Sequence, residues 1–428
     1  MEQFAIEQLG VCDYQSPLQL SPDLYRCDHE RLILQPEFTE CSAAICEQSL
    51  ELTGPRKQIY FNPAKITAAI VTCGGLCPGI NAVIRGLVMQ LGYNYGCQTI
   101  LGIRYGYWGL GLQGEEPWQL TPDKVSGIKG QGGTLLGSSR GTPPTPELVD
   151  GLQHHNIDLL FVIGGDGTMR GAHAIWQEVR RRQLCISVIG VPKTIDNDIP
   201  YVRRTFGFET AVAEAAAAIN VAETEANGTP YGIGLVKLMG RHAGFIAAAA
   251  TVASGQPNYC LIPEVPFELD GEQGLLANLH QRLLARKHAV IVVAEGAGQD
   301  MLAQQNQGKD ASGNAKLGDI GQYLKARIQD YFQAQQQTVS VKYIEPSYLI
   351  RSAPPNASDQ LYCDQLARAA VHAGMAGKGG MLIGNWNGRL VHVPIQALQK
   401  VVDKRVNPYG ELWFSVLENT GQPSLVNG

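Results

Sequence analysis

Three short stretches of this 428-residue chain concentrate the residues needed to handle phosphate. In "FVIGGDGTMRGA" (161–172) an apolar run breaks into Gly-Gly-Asp-Gly-Thr and then resumes with helical spacing. Glycines let backbone N–H groups approach an anion closely, and the start of the following helix adds a favourable dipole. The lone carboxylate, Asp166, would repel phosphate unless a divalent cation lay between them. Mg²⁺ suits that place, because it takes few carboxylates along with phosphate oxygens and water. Asp166 thus reads as a metal ligand, direct or through water, with a helix N-cap as the local alternative. A second glycine turn, "GGLCPGIN" (74–81), is either another anion cradle or a tight turn. The third stretch, "VPKTIDNDIP" (191–200), sets Lys193, Thr194, Asp196 and Asp198 within six residues. Asp196 and Asp198 are a turn pair or a catalytic pair. Phosphoryl transfer needs a group to receive the attacking hydroxyl's proton and cations to spread the charge on the phosphate. A carboxylate with an ordinary pKa is ionised at neutral pH and meets the first need.

All three stretches follow apolar runs suited to buried strands: "ITAAIVTC" (66–73), "DLLFVI" (158–163) and "ISVIGVP" (186–192). Helical patterns follow at "AVIRGLVMQL" (82–91) and "MRGAHAIWQEVRRR" (169–182). The Ala-rich 209–226 is a strong helix former. "YGIGLVKL", "AGFIAAAATVA" and "AVIVVAE" continue the alternation, which predicts parallel sheets with helices on both faces. Ligands of such folds bind beyond the carboxyl ends of strands, where the glycine turns fall. Glu295 closes one of these apolar strands, and a solitary acid there is costly enough to imply a role. Residues 1–60 lack this periodicity and read as an extension draped on the core, or as a loose tail. Residues 298–321 read as a polar, mobile loop, and Asn387-Gly388 as a hairpin turn between two apolar runs.

The net charge of −5 disfavours a nucleic-acid binder or a partner for anionic membranes. No apolar run approaches the roughly 20 residues of a membrane span. The start resembles no signal peptide, and the ten cysteines lack the spacing of a zinc site. A cytoplasmic enzyme with reduced thiols is expected.

The motifs "GGLCPGIN", "GGTLLGSSR" (132–140), "GGDGTMRGA", "PKTIDNDI", "TFGFETA" (205–211), "VKLMGRHAGFIAA" (236–248) and "VVAEG" (292–296) resemble those of 6-phosphofructokinases, in the same order. The resemblance runs from about residue 66 to about 394 and implies two Rossmann-like α/β domains, three-layered and mostly parallel, with the active site in their cleft. It implies a nucleotide domain of 61–208 plus 350–394, and a sugar-phosphate domain of 209–349 plus 395–428. Asp196 matches the family's base, which takes the proton from the sugar 1-hydroxyl, and Asp166 its Mg²⁺ ligand. Lys193, Thr194 and Arg241 would assist catalysis. Gly75, Arg140, Gly141, Gly165, Asp166, Gly167 and Thr168 match donor-binding positions, and Tyr107 stands where an aromatic lies near adenine, or is a packed aromatic. Thr194, Ile195, Asp196, Met239, Gly240, Arg241 and Glu295 would face fructose 6-phosphate, as would Tyr348 and Arg351 in "YLIR".

Departures from the pattern bear on assembly and donor. Gly232 replaces an arginine that reaches a neighbouring subunit's sugar phosphate, and Lys342 replaces a second one, whose sugar-phosphate-binding role it would keep with weaker, point-charge geometry. Gly167 leaves room for ATP where pyrophosphate users carry a second Asp, whereas Lys193 also occurs in those users. The motif set favours the ATP-using subgroup of plants and trypanosomes. The implied enzyme is a glycolytic, cytoplasmic homo-oligomer, tetramer or dimer, with allosteric sites, using Mg²⁺ and ATP. A pyrophosphate-dependent phosphofructokinase is the alternative donor reading. An NAD or lipid kinase shares GGDGT but lacks the other motifs, and a dead regulatory subunit would have lost Asp166 or Asp196.

Overall fold

The computed structural model describes residues 4–35, 48–139, 141–303, 308, 316–399 and 404–427. Its contacts divide the chain into two compact units. The first comprises Met1–Thr194, Ile199–Gly207 and Ser352–Val402, the second Ile195–Asp198, Phe208–Arg351 and Asp403–Gly428.

The first unit is built on a nine-stranded sheet. In chain order its strands are β1 (Arg31–Ile33), β2 (Ser49–Leu52), β3 (Thr67–Thr72), β4 (Thr99–Ile103), β5 (Trp118–Gln119), β6 (Leu159–Gly164), β7 (Ser187–Pro192), β8 (Met381–Trp386) and β9 (Arg389–Pro394). The spatial order is β1-β2-β9-β8-β7-β6-β3-β4-β5. Only the centre, from β8 through β4, is parallel. Both flanks are antiparallel, so this sheet is mixed, while that of the second unit is wholly parallel. Between β8 and β9 the reason is connection length. A parallel pair needs a crossover of a dozen or more residues, whereas a hairpin closes in two. Asn387 and Gly388 supply such a closure between β8 and β9, with φ of +44° and +75°.

The central strands are buried along their lengths and alternate with helices α1 (Ile80–Met89), α2 (Thr145–His154) and α3 (Asp166–Arg181). The extension is more than draped: β2 pairs with β9 and β1 with β2. Leu50 joins the core of the first unit, together with Trp176 of α3 and Val391 of β9.

The second unit carries a four-stranded, wholly parallel sheet: β10 (Gly232–Leu238), β11 (Tyr259–Leu261), β12 (His288–Ala294) and β13 (Ser340–Ile344), in the order β11-β12-β10-β13. Its helices include α4 (Phe208–Asn227), α5 (Phe245–Ser254), α6 (Leu275–Arg286), α7 (Ile320–Ala334) and the short α8 (Ser347–Ser352), whose last residue belongs to the first unit. The first unit then continues with α9 (Ala357–Met375). Ile291 and Val293 of β12, Leu279 of α6 and Phe332 of α7 lie in the second core.

Candidate active site

The three stretches singled out for phosphate leave the first unit's strands β3, β6 and β7 at their carboxyl ends. β3 neighbours β6, and β6 neighbours β7, so strand order alone draws the turns together. A Cβ built on Gly74 would lie 3.7 Å from Lys193 Nζ and 3.9 Å from Thr168 Oγ1. Both glycine turns and Lys193 therefore converge on one spot. The buried Lys193 side chain donates from Nζ to the Gly75 carbonyl at 2.7 Å, and its backbone N–H donates to Gly164 O at 2.8 Å. Ser138 Oγ donates to Gly74 O at 2.6 Å, which brings "GGTLLGSSR" to the same place. Arg140 lies outside the described residues, and Gly141 beside it turns with φ of +95°.

Asp166 opens α3, and the N-cap is Gly165, which has no side chain to cap with. The N-cap alternative for Asp166 is thereby set aside. Its carboxylate is half-exposed and pairs with Arg170 one turn on. Not every glycine here is required by the fold. At Gly164 a Cβ would collide with Thr168 at 2.3 Å. At Gly75 it would meet nothing within 4 Å, and at Gly167 only the Arg170 guanidinium at 3.7 Å. Neither residue has the positive φ that glycine alone tolerates. With no folding reason to lack side chains, both suit the close approach of a ligand. One half-exposed carboxylate at a helix N-terminus beside two such openings fits Mg²⁺ held largely by phosphate oxygens. Among the described residues no group of three His, Cys, Asp or Glu side chains forms a protein-only metal cage.

Tyr107 is not placed to stack on a base. Only 4% of it is exposed, and its ring packs so tightly that a Cβ on Gly171 of α3 would sit 2.8 Å away. Its hydroxyl donates to Thr168 O at 2.8 Å, and burial pushes its pKa well up. Tyr107 thus braces the first turn of α3. The exposed aromatic of that segment is Trp108.

Beyond Lys193 the chain passes between units: Thr194 belongs to the first, Ile195–Asp198 to the second. Three residues of chain span at most about 11 Å, so Asp196 stays within that distance of Lys193 whatever the conformation. Thr205 Oγ1 donates to Thr194 O at 2.7 Å. Asn197 is left-handed, with φ of +54°, which reverses the backbone between the two aspartates. Ile195 and Met239 are buried side chains, so what they offer a ligand is backbone.

In the second unit Glu295 follows β12, next to the β10 end that carries Met239, Gly240 and Arg241. Its N–H donates to Leu238 O at 2.8 Å, and the Gly296 N–H donates to Gly240 O at 3.1 Å. Burial pushes the Glu295 carboxyl up, against the pull of Arg351, Arg241 and Lys237, and Glu345 adds to the rise. Glu295 thus lies within electrostatic reach of Arg241 and Arg351. Tyr348 stands three residues before Arg351 on α8 and is 84% exposed.

Lys342 is not brought to this group. On β13 it pairs in register with Gly234, four residues before Leu238, and its nearest acid is Glu225 of α4 at 4.0 Å. Four residues of strand are about 13 Å. The 298–321 segment also differs from expectation at its ends. Gln299 donates to Glu295 O at 2.7 Å and accepts from Gly318 N at 3.0 Å, which pins both margins, while 304–307 and 309–315 lie outside the described residues. Sequence reasoning missed Lys237, two residues before Met239 on β10, whose ammonium sits between Asp319 at 2.9 Å and Glu345 at 3.1 Å. A lysine inside an apolar strand was its only signal.

The sequence profile of the family described as phosphofructokinase matches residues 67–374. An ATP-dependent 6-phosphofructokinase of Borreliella burgdorferi is 50% identical over 98% of this chain and 97% of its own. ATP-dependent 6-phosphofructokinase 1 of Arabidopsis thaliana is 48% identical over 87% of this chain and 79% of its own. The ATP-dependent enzyme of Trypanosoma brucei brucei is 43% identical over 98% and 87%. In three dimensions the chain is similar to a pyrophosphate-dependent phosphofructokinase from Marinobacter aquaeolei, with a TM-score of 0.68 and 21% identity over 84% of this chain and 92% of that one. That likeness bears on the fold alone.

Proposed function

The chain belongs to the phosphofructokinase family, and from that premise we propose that it transfers the terminal phosphate of ATP to the 1-hydroxyl of fructose 6-phosphate, with Asp196 as base and Asp166 as Mg²⁺ ligand. The observation that carries the reaction is the near full-length identity of 50% to an ATP-dependent 6-phosphofructokinase. The two glycines that the fold does not require, Gly75 and Gly167, support a nucleotide as donor.

In this reading the backbone N–H groups at the start of α3 and around Gly75 cradle the donor's phosphates, with Thr168 held in register by Tyr107. Mg²⁺, when bound, would neutralise charge on the phosphate oxygens beside Asp166. Asp196 accepts the proton of the sugar 1-hydroxyl as that oxygen attacks the terminal phosphorus, and ADP leaves. The Lys193 ammonium and the Arg241 guanidinium stabilise the charge that builds on the transferring group. Glu295 accepts hydrogen bonds from sugar hydroxyls, and Arg351 holds the 6-phosphate. A homo-oligomer in which Lys342 serves a neighbouring subunit's sugar phosphate accounts for that residue's place on β13.

Asp196→Asn tests the assignment. Turnover is expected to fall at least about a thousandfold, the scale for losing an essential acid–base group, with fructose 6-phosphate affinity kept within a few-fold. Near-normal turnover removes Asp196 as base. Rates with ATP and pyrophosphate at equal concentration test the donor, and preference for pyrophosphate overturns that part.

A further inference from the structure

Lys237 is a charged residue where the fold has least use for one. β10 lies between β12 and β13, and all seven of its residues are buried. An ammonium there would be destabilised by lost hydration unless paired. Its partners come from two other elements. Asp319 is the N-cap of α7 and also accepts from the Gln322 N–H at 3.2 Å. Glu345 follows β13 and accepts from the Tyr343 hydroxyl at 3.1 Å. The Tyr343 ring in turn packs where a Cβ on Gly321 would be, 2.5 Å from the nearest ring atom. One cation thus fastens the start of α7 and the approach to α8 to the end of β10. Those are the segments that lead to Arg351 on one side and flank Glu295 on the other. Gln299 adds a tie between Glu295 O and Gly318, next to Asp319.

We propose that Lys237 is a positioning residue for the sugar-phosphate acceptor: clamped by Asp319 and Glu345, it sets Glu295 and Arg351 in place without touching substrate. The proposal rests on the reading of Glu295 and Arg351 as acceptor residues. A purely structural ion pair is the competing account, and the two differ in what replacement does. Buried ion pairs contribute little net stability compared with apolar side chains of similar volume. Asp319 and Glu345 have side chains 44% and 39% exposed, so water can solvate them once the lysine is gone. Lys237→Met should therefore keep the fold while releasing the two segments.

The expected result for Lys237→Met is a KM for fructose 6-phosphate raised about tenfold, with KM for ATP within about twofold and a thermal midpoint close to that of the parent. Glu345→Gln is expected to raise the same KM less. The double variant should be no worse than Lys237→Met alone, because both act through one clamp. Equal changes in both KM values, an unmoved sugar KM, or effects of the two substitutions that multiply would each overturn the proposal. Arg351→Ala and Glu295→Gln, measured in parallel, separate the two readings. If neither raises the sugar KM, the acceptor site itself is misassigned and the clamp falls with it. If both do and Lys237→Met does not, the clamp alone fails.

Discussion

Individual residues show how far side-chain chemistry can be read from type alone. Tyr107 has the type expected of a base-stacking residue, but its depth and its bond to Thr168 make it a brace. Removing a buried hydroxyl whose partner is a helix carbonyl costs about 1 kcal/mol. Tyr107→Phe should therefore lower the thermal midpoint by roughly 2 °C, on the scale for domains of this size, with the preference for ATP over inosine triphosphate unchanged. A shifted base preference with an unmoved midpoint would restore the stacking role. Glu295 makes a prediction in pH. Its carboxyl is raised from the ordinary 4.5 by burial, so at any given acidity it is more protonated than an exposed glutamate. As pH falls, the loss of an ionised acceptor for sugar hydroxyls should begin above 4.5. The substrate's phosphate also titrates near pH 6, so the limb of kcat/KM belonging to Glu295 is the part that vanishes in Glu295→Gln. Identical acid limbs in parent and variant would exclude an ionised Glu295 from sugar binding.

Whole elements were legible where local chemistry decides them. Asn387-Gly388 announces its hairpin because both positions need φ above zero, and the buried central strands announce themselves by unbroken apolar runs. β2, with the sequence Ser-Leu-Glu-Leu, was not legible as a strand, because what stabilises it is remote in sequence. Glu51 Oε1 accepts from Arg56 at 2.7 Å, from Lys378 at 2.8 Å and from His392 Nδ1 at 3.1 Å. Asp28 adds a second acid, 2.9 Å from Arg56 and 3.0 Å from Lys378. Burial would raise the Glu51 carboxyl, but the hydrogen bond from His392 and the Lys378 ammonium hold it well below the carboxylate range. Burial keeps the His392 ring itself neutral, with its pKa lowered. A depressed acid pKa stabilises the fold above the acid's unfolded value, and that contribution is lost as pH falls toward the folded one. Glu51→Ala strips a shared partner from two buried cations and should cost about 3 kcal/mol or more. Protease sensitivity of the first 60 residues should rise with it. If neither midpoint nor cleavage pattern changes, the cluster does not hold the extension.

At the scale of the molecule, the alternation of strands and helices gave away the α/β class, since no other arrangement buries so many continuous apolar strands. A division into two domains was implied only by the resemblance to phosphofructokinases. The β8–β9 pair showed in its hairpin turn, but the pairing of β2 with β9 stayed hidden, because residues 51–52 and 391–392 meet only after folding. Lys342 raises a question one chain cannot answer alone: β13 places it about four residues of strand short of Glu295's end of the sheet. In a symmetric oligomer such a residue can complete a neighbour's site. Subunit mixing tests this directly. If the chain forms the homo-oligomer proposed above, Lys342→Ala and Arg351→Ala should each weaken sugar-phosphate binding throughout their own assemblies. Co-expressed, they form mixed oligomers in which some sites draw intact Arg351 from one subunit and intact Lys342 from the next, about a quarter of sites by random pairing. Those sites should show the parent KM for fructose 6-phosphate, seen as a high-affinity phase absent from either variant alone. A mixture that behaves as the plain average of the two variants would mean that Lys342 acts within its own chain or not at all.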